Sequence, residues 1–128
     1  MTQKILPFDN APSPGTYLCQ LAELRDSLGR EFVWERGANK PFRLFLVPYA
    51  NQEARAYVNA CPHFQVPLNP PRPGWPFLMK DDPKTIRCSV HGARFQADDG
   101  LCVWGDCLGE SLTPVPLEIR GGGIYLAG

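Results

Sequence analysis

Short apolar stretches recur along the chain, some alternating with polar residues, and each is bounded by glycine, proline or another turn-forming residue. They predict β-strands over residues 17–21, 31–35, 42–47, 54–59, 77–79, 85–87, 94–97, 101–104, 115–120 and 124–126. No stretch keeps the period of about 3.6 residues that marks a long amphipathic helix. The pattern therefore predicts an all-β fold.

Turn residues separate the predicted strands. The sequence has 12 glycines and 14 prolines, which favours many short connections. We expect turns at 24–30, 37–41 and 51–53, and we expect Pro48 to end the strand before it. An Asp-Gly pair at 99–100 and three glycines at 121–123 predict two hairpins.

The length of 128 residues predicts one domain. Residues 1–15 carry three prolines and no periodicity, so they predict an extended arm, and 16–128 predict the folded domain. The net charge is zero, so nothing suggests binding to nucleic acid or to an anionic membrane. No apolar run is long enough for a membrane helix, and no signal-peptide core is found, so we expect a soluble, cytoplasmic protein.

The two histidines of the chain each stand close to a cysteine, in Cys61-Pro62-His63 and in Cys88-Ser89-Val90-His91. Thiolate and imidazole are ligands that iron and zinc prefer. Two cysteines with two histidines favour either a tetrahedral structural zinc or a two-iron, two-sulfide cluster with histidines on one iron. The spacing of a C2H2 zinc finger is absent. A third hypothesis, with no metal, requires both histidines to lie beside cysteines by chance.

The residues around the two boxes separate these hypotheses. Residues 61–68 and 88–95 closely resemble the two cluster-binding boxes of Rieske proteins. The resemblance continues through 99–105 and the apolar positions beyond it. It covers the chain from about Tyr17, and it is stronger after Asn59. It implies a Rieske-type antiparallel β-sandwich, with a small cluster-binding subdomain of loops and hairpins at about 60–108.

The resemblance also implies the cofactor and its ligands. In Rieske proteins two cysteines hold one iron of a [2Fe-2S] cluster and two histidines hold the other through Nδ1. Those positions are Cys61, Cys88, His63 and His91 here. No further histidine is available for acid–base catalysis or for a mononuclear iron site, so we expect no enzymatic activity.

Quinol-oxidising Rieske proteins have three further sequence features, and this chain lacks all three. They have an extra cysteine in each box, where this chain has Val66 and Val90. They also have a serine and a tyrosine that donate to sulfur, where this chain has Ala93 and Phe95. The sequence therefore resembles a low-potential, soluble Rieske ferredoxin.

Such a resemblance implies a one-electron carrier that a flavin-dependent reductase reduces and a terminal oxygenase oxidises. One alternative is a non-catalytic Rieske subunit or redox sensor that stays bound to a larger enzyme. Another is a structural zinc module. The sequence does not give the oligomeric state or the pathway.

Several residues remain outside this core pattern. Residues 69–84 form a longer spacer between the boxes than in many Rieske domains, and Trp75 within them is either a lid or, as we expect, a plug on the core. Residues 105–109 resemble the third loop that covers the cluster. Three cysteines remain, Cys19, Cys102 and Cys107; we expect reduced, buried thiols, with a Cys102–Cys107 disulfide as the alternative.

Overall fold

A computed structural model of the chain describes residues 12–34, 41–50, 52–62, 66–70, 75–89 and 92–127. Within these ranges it contains ten strands and one short helix: β1 Tyr17–Gln20, α1 Leu21–Arg25, β2 Arg30–Trp34, β3 Phe42–Tyr49, β4 Glu53–Val58, β5 Leu78–Met79, β6 Asp82–Arg87, β7 Arg94–Gln96, β8 Cys102–Trp104, β9 Leu117–Arg120 and β10 Gly123–Leu126. Every strand pairing is antiparallel, so the predicted all-β class is confirmed. No helix in the described ranges could span a bilayer.

The strands form three sheets, in the orders β1-β10-β9, β2-β3-β4 and β5-β6-β7-β8. In the first sheet, a strand near the start of the chain pairs with the last strand, with Cys19 opposite Ile124. The segment before β9 joins this sheet to the second one. There the amide of Val58 donates to the carbonyl of Thr113 at 2.9 Å, and the amide of Val115 donates to Ala56 at 2.8 Å.

Strand β3 is the wall between two hydrophobic cores. Leu44 and Leu46 point into a first core, which the first two sheets enclose, while Phe45 and Val47 point into a second core under the four-stranded sheet. All four side chains are fully buried. Because successive side chains of a strand point to opposite faces, one apolar run can serve both cores. The prediction of a central strand at 42–47 is confirmed.

The second core attaches the four-stranded sheet to the rest of the domain. The ring of Phe45 stacks on Phe77, with centroids 4.4 Å apart and planes 2° from parallel. The hydroxyl of Tyr57 donates to the carbonyl of Ala97 at 2.6 Å, and burial raises the pKa of this phenol. Trp75 packs against the same core, as expected for a plug.

Two local predictions were wrong. Residues 21–25 form the helix α1, whereas residue 21 was expected to end the first strand and a turn region was expected from residue 24. The helix forms because Leu21 and Leu24 both reach the first core and the Glu23 carboxylate accepts the amide of Gln20 at 3.4 Å. Pro48 does not end β3. Strand β2 pairs with β3 only as far as Leu46, so at Pro48 only β4 lies alongside, and a residue without an amide hydrogen is tolerated there.

Strand boundaries elsewhere differ by a few residues. Strand β6 begins at Asp82, so the hairpin with β5 has a shorter turn than predicted. Strand β9 begins at Leu117, because Val115 bonds to β4 instead of continuing the closing hairpin. The hairpin of β7 and β8 around the Asp-Gly turn is confirmed. Most of the predicted arm, residues 1–11, lies outside the described residues, as do 35–40; the division at residue 15 stays a prediction.

Candidate metal centre

The two cysteines of the boxes begin loops that close in the same way. The amide of Cys61 donates to the carbonyl of Val66 at 2.7 Å, and the amide of Cys88 donates to the carbonyl of Ala93 at 2.8 Å. In both loops the donor and the acceptor are five residues apart. Strand β4 leads into the first loop, and β6 leads into the second. Each cysteine is therefore held at the point where a strand of the scaffold ends.

A direct hydrogen bond ties the two loops side by side. The amide of Ser89, next to Cys88, donates to the carbonyl of Leu68 at 2.7 Å. The second loop turns at Gly92, whose φ of 68° lies in the left-handed region that favours glycine. The side chains of Cys61 and Cys88 are 2% and 1% exposed and belong to the same core cluster. The side chains of two cysteines from matching loops thus lie in one buried cluster.

His63 and His91 lie outside the described residues, one in each loop by sequence. In the ranges that the structure covers, no group of three or more His, Cys, Asp or Glu side chains could hold a metal ion. The structure thus brings the two loops of the cysteine positions together. Coordination by all four side chains stays a prediction.

A polar network fixes the first loop to the sheet of β2, β3 and β4. The buried side chain of Asn59 accepts the amide of Leu68 at 2.8 Å through Oδ1. Its Nδ2 donates to Glu31 at 2.6 Å and to Asn69 at 2.8 Å. Glu31 in turn accepts from Asn69 at 3.0 Å and from Arg43 at 3.2 Å. The sequence pattern did not predict this network, and its one visible sign was an asparagine two residues before the first cysteine box.

The third loop lies against the second box. An isolated bridge of Leu101 with Ser111 closes its base. Within it the amide of Cys102 donates to Glu110 at 2.8 Å, and the amide of Gly109 donates back to Cys102 at 3.2 Å. A Cβ at Gly105, where φ is 110°, would lie 3.1 Å from Cα of Ala93. Only glycine permits this contact without displacing one of the loops.

The three remaining cysteines are buried, and no disulfide joins any of the five, all of which lie in the described ranges. This confirms the expectation of buried thiols. Cys19 belongs to the first core, and burial raises the pKa of its thiol. Cys102 and Cys107 belong to the second core. Burial, and then the contact with Cys102, raises the pKa of Cys107 to about 12.

Exposed apolar side chains lie in or beside the first and third loops. Leu108 in the third loop is 67% exposed, Trp104 beside it is 55% exposed, and Val66 at the end of the first loop is 36% exposed. We call these three residues the apolar rim. The guanidinium of Arg94 lies 5.3 Å from the ring centre of Trp104. Leu108 stands in a loop rich in glycine and acidic residues, and this position was the sign in the sequence that its side chain is exposed.

Comparison with known proteins agrees with this architecture. The family model for the Rieske [2Fe-2S] domain matches residues 17–116. A search of curated protein sequences found no match.

Solved structures share the fold. A chain of the complex of reduced oxygenase and oxidized ferredoxin in carbazole 1,9a-dioxygenase has a TM-score of 0.61 and 21% identity, over 87% of this chain and 99% of that one. The ferredoxin of carbazole 1,9a-dioxygenase from Nocardioides aromaticivorans IC177 has a TM-score of 0.61 and 17% identity, over 88% and 97%. The cyanobacterial plasma membrane Rieske protein PetC3 from Synechocystis PCC 6803 has a TM-score of 0.62 and 20% identity, over 88% and 99%.

The network around Asn59 generates a first prediction. Asn59→Ala leaves the buried amide of Leu68 without its acceptor, so we expect a loss of about 1–3 kcal/mol in the free energy of unfolding, measured by urea titration. The first loop should also release its metal faster to a chelator. Thr16→Ala removes only an exposed hydrogen bond and should change stability by less than about 0.5 kcal/mol. Equal effects of the two substitutions on stability would contradict the inference that Asn59 holds the first loop in place.

Proposed function

Because the chain belongs to the Rieske [2Fe-2S] domain family, whose domain binds a [2Fe-2S] cluster, we propose that it is a ferredoxin which carries single electrons to a terminal oxygenase. A flavin-dependent reductase supplies the electrons in this proposal. The observation that carries it is the pair of matching cysteine loops, tied together by the bond from Ser89 to Leu68. The oxygenase partner is inferred from the similarity in fold to a chain from an oxygenase–ferredoxin complex.

The donor set suits the cluster. Cys61 and Cys88 supply thiolate sulfur for one iron, and His63 and His91 supply imidazole nitrogen for the other in our proposal. The buried, paired positions of the two cysteines support this assignment. The cluster supplies reversible one-electron transfer when it is bound. The zinc alternative fits the donor types equally well, but it has no support from the family match.

The chain's own residues keep water away from the cysteines on the inner side. Ala93 and Phe95 are 2% and 0% exposed and belong to the same core as Cys61 and Cys88. Neither carries a hydroxyl that could donate to a sulfur. Because hydrogen bonds to the sulfurs stabilise the more negative, reduced state, the lack of hydroxyl donors at these two positions lowers the potential.

The apolar rim gives the outer side a surface on which a partner can dock. A free carrier needs contacts that form and break quickly, and weak electron-transfer complexes use small interfaces. Leu108 lies in the third loop, which packs against the second box through Gly105, and Trp104 is the last residue of β8, directly before that loop. A partner bound to the third loop therefore lies next to the second box.

The ligand assignment predicts the cofactor content. Purified protein is expected to be red-brown, with two irons and two acid-labile sulfides per chain, measured by iron and sulfide assays. Cys61→Ser and Cys88→Ser should lose the cluster, because an alkoxide oxygen is a harder ligand than a thiolate. Cys19→Ala, in the other core, should keep it. A colourless protein with one zinc per chain would establish the structural zinc module instead.

The surroundings of the sulfurs predict a potential toward the low end of the Rieske range of about −150 to +300 mV. Hydrogen bonds to charged groups contribute about 1.5–3 kcal/mol each. Losing two therefore shifts a one-electron couple by roughly a hundred millivolts or more, since about 59 mV is a tenfold change in the equilibrium constant. Protein-film voltammetry measures this value.

The same experiment on variants tests the cause. Phe95→Tyr is expected to raise the potential by tens of millivolts, because it adds a hydroxyl in the core that holds Cys61 and Cys88. Phe32→Tyr, which packs against the first core, should leave the potential unchanged. A wild-type potential near the top of the range would contradict both the tuning argument and the ferredoxin assignment.

The apolar rim predicts where electron transfer is sensitive to substitution. Leu108→Asp should lower the second-order rate of oxidation by the terminal oxygenase about tenfold or more, with an unchanged potential, in stopped-flow absorbance experiments. Ile119→Asp is the matched control, because Ile119 is also exposed, at 39%, but lies on β9 in another sheet. Co-elution of both proteins at catalytic dilution would favour the bound-subunit alternative.

A further inference from the structure

The two sulfur atoms of Cys102 and Cys107 lie unusually close to each other inside the third loop. Their Sγ atoms are 2.8 Å apart, and both residues are 1% exposed. The thiol of Cys107 donates to Cys102, and that of Cys102 donates to the carbonyl of Trp104 at 3.4 Å. A disulfide requires about 2.05 Å between the sulfurs. The pair is therefore within about 0.8 Å of bonding distance before any part of the backbone moves.

We propose that Cys102 and Cys107 are a modification site, at which a peroxide oxidises the two thiols to a reversible intramolecular disulfide. This inference does not depend on the proposed electron-carrier function. Neither cysteine belongs to the two ligand boxes, so the bridge leaves Cys61 and Cys88 unchanged. It closes the third loop covalently, next to the second box against which Gly105 packs.

The chemistry balances with hydrogen peroxide as the oxidant. One thiol breaks the O–O bond, which gives a sulfenic acid and one water. The second thiol attacks that sulfur, a sulfur–sulfur bond forms, and a second water leaves. Two sulfurs are oxidised and one peroxide is reduced to two waters. A small-molecule dithiol reverses the bridge by exchange and becomes a cyclic disulfide itself.

The backbone of the loop already holds the two sulfurs in place. The carbonyl of Cys107 accepts the amide of Glu110 at 2.8 Å, and Cys102 makes two backbone bonds across the loop, to Gly109 and Glu110. The outer residues of the loop are exposed, Leu108 most of all, so a small oxidant needs only a local opening to reach the sulfurs. A sulfenic acid formed there meets the second thiol before it meets another peroxide. The geometry thus favours a disulfide over further oxidation.

The burial of Cys102 and Cys107 determines when the disulfide forms. Both residues are only 1% exposed, so peroxide reaches the sulfurs only when the loop opens locally, and the reaction is slow. We therefore expect the reduced pair in freshly purified protein and the bridge only after exposure to peroxide.

Peptide mass spectrometry tests the proposal on the cluster-containing protein. The sequence has no lysine or arginine between Arg94 and Arg120, so trypsin releases both cysteines on one peptide, 95–120, while the other three lie on separate peptides. Holo-protein is treated with hydrogen peroxide, denatured in acid, alkylated and digested. We expect peptide 95–120 to lose the mass of two hydrogens and take up no alkyl group, and a dithiol should restore two alkylation sites.

Variants separate a specific pair from general oxidation. In Cys107→Ala, the lone Cys102 has no partner and should be alkylated or oxidised to a sulfinic acid. In Cys19→Ala the bridge on peptide 95–120 should form as in the wild type. Wild-type protein in which both cysteines are alkylated, or both are oxidised to sulfinic acid, would refute the proposal. So would a disulfide that links either cysteine to Cys61 or Cys88.

Discussion

The burial of strand β3 on both faces is the constraint on which the rest of the structure depends. Successive side chains of β3 point alternately into two cores. One core lies between the first two sheets. The other lies under the four-stranded sheet, which leads into the second cysteine loop. A domain of this size buries a limited fraction of its surface, so one strand that serves both cores uses its apolar residues efficiently. Sharing one strand lets the rigid sandwich fix the position of the small sheet. The loops are held relative to each other because both of their parent sheets rest on the same residues.

In the described parts of the two cysteine loops, specific polar groups pair with backbone amides that have no neighbouring strand. Buried backbone amides must be paired, and in a loop the neighbouring strand is missing. The amide of Leu68 finds the side chain of Asn59, and the amide of Ser89 finds the carbonyl of Leu68. One residue of the first loop is thereby bound at its amide to the sandwich and at its carbonyl to the second loop. The separation of the cysteine loops follows from these two bonds and not from packing alone.

The sequence was informative where a single physical rule dominates. A mostly apolar run predicted β3, and the Asp-Gly pair predicted the hairpin of β7 and β8. Prediction from the sequence was wrong where two structural elements compete for the same backbone group. Val115 could have continued β9, but its amide pairs with Ala56 instead. Likewise Pro48 ends a strand only when strands lie on both sides. The cysteine boxes were visible from their spacing, whereas the Asn59 network and the Cys102–Cys107 contact depend on residues that meet only after folding.

An electron carrier must satisfy two opposite demands at the same end of the molecule. The cysteines must be shielded, because water around the sulfurs would donate hydrogen bonds and alter the potential. The partner must nevertheless approach closely. Here Ala93 and Phe95 are buried in the core that also holds Cys61 and Cys88, whereas Trp104 at the end of β8 and Leu108 in the third loop are exposed. In the proposed complex, exposed apolar side chains resolve the conflict, because they bury readily against a partner. The proposed docking role accounts for the exposure of Leu108, since the other leucines among the described residues are at least half buried.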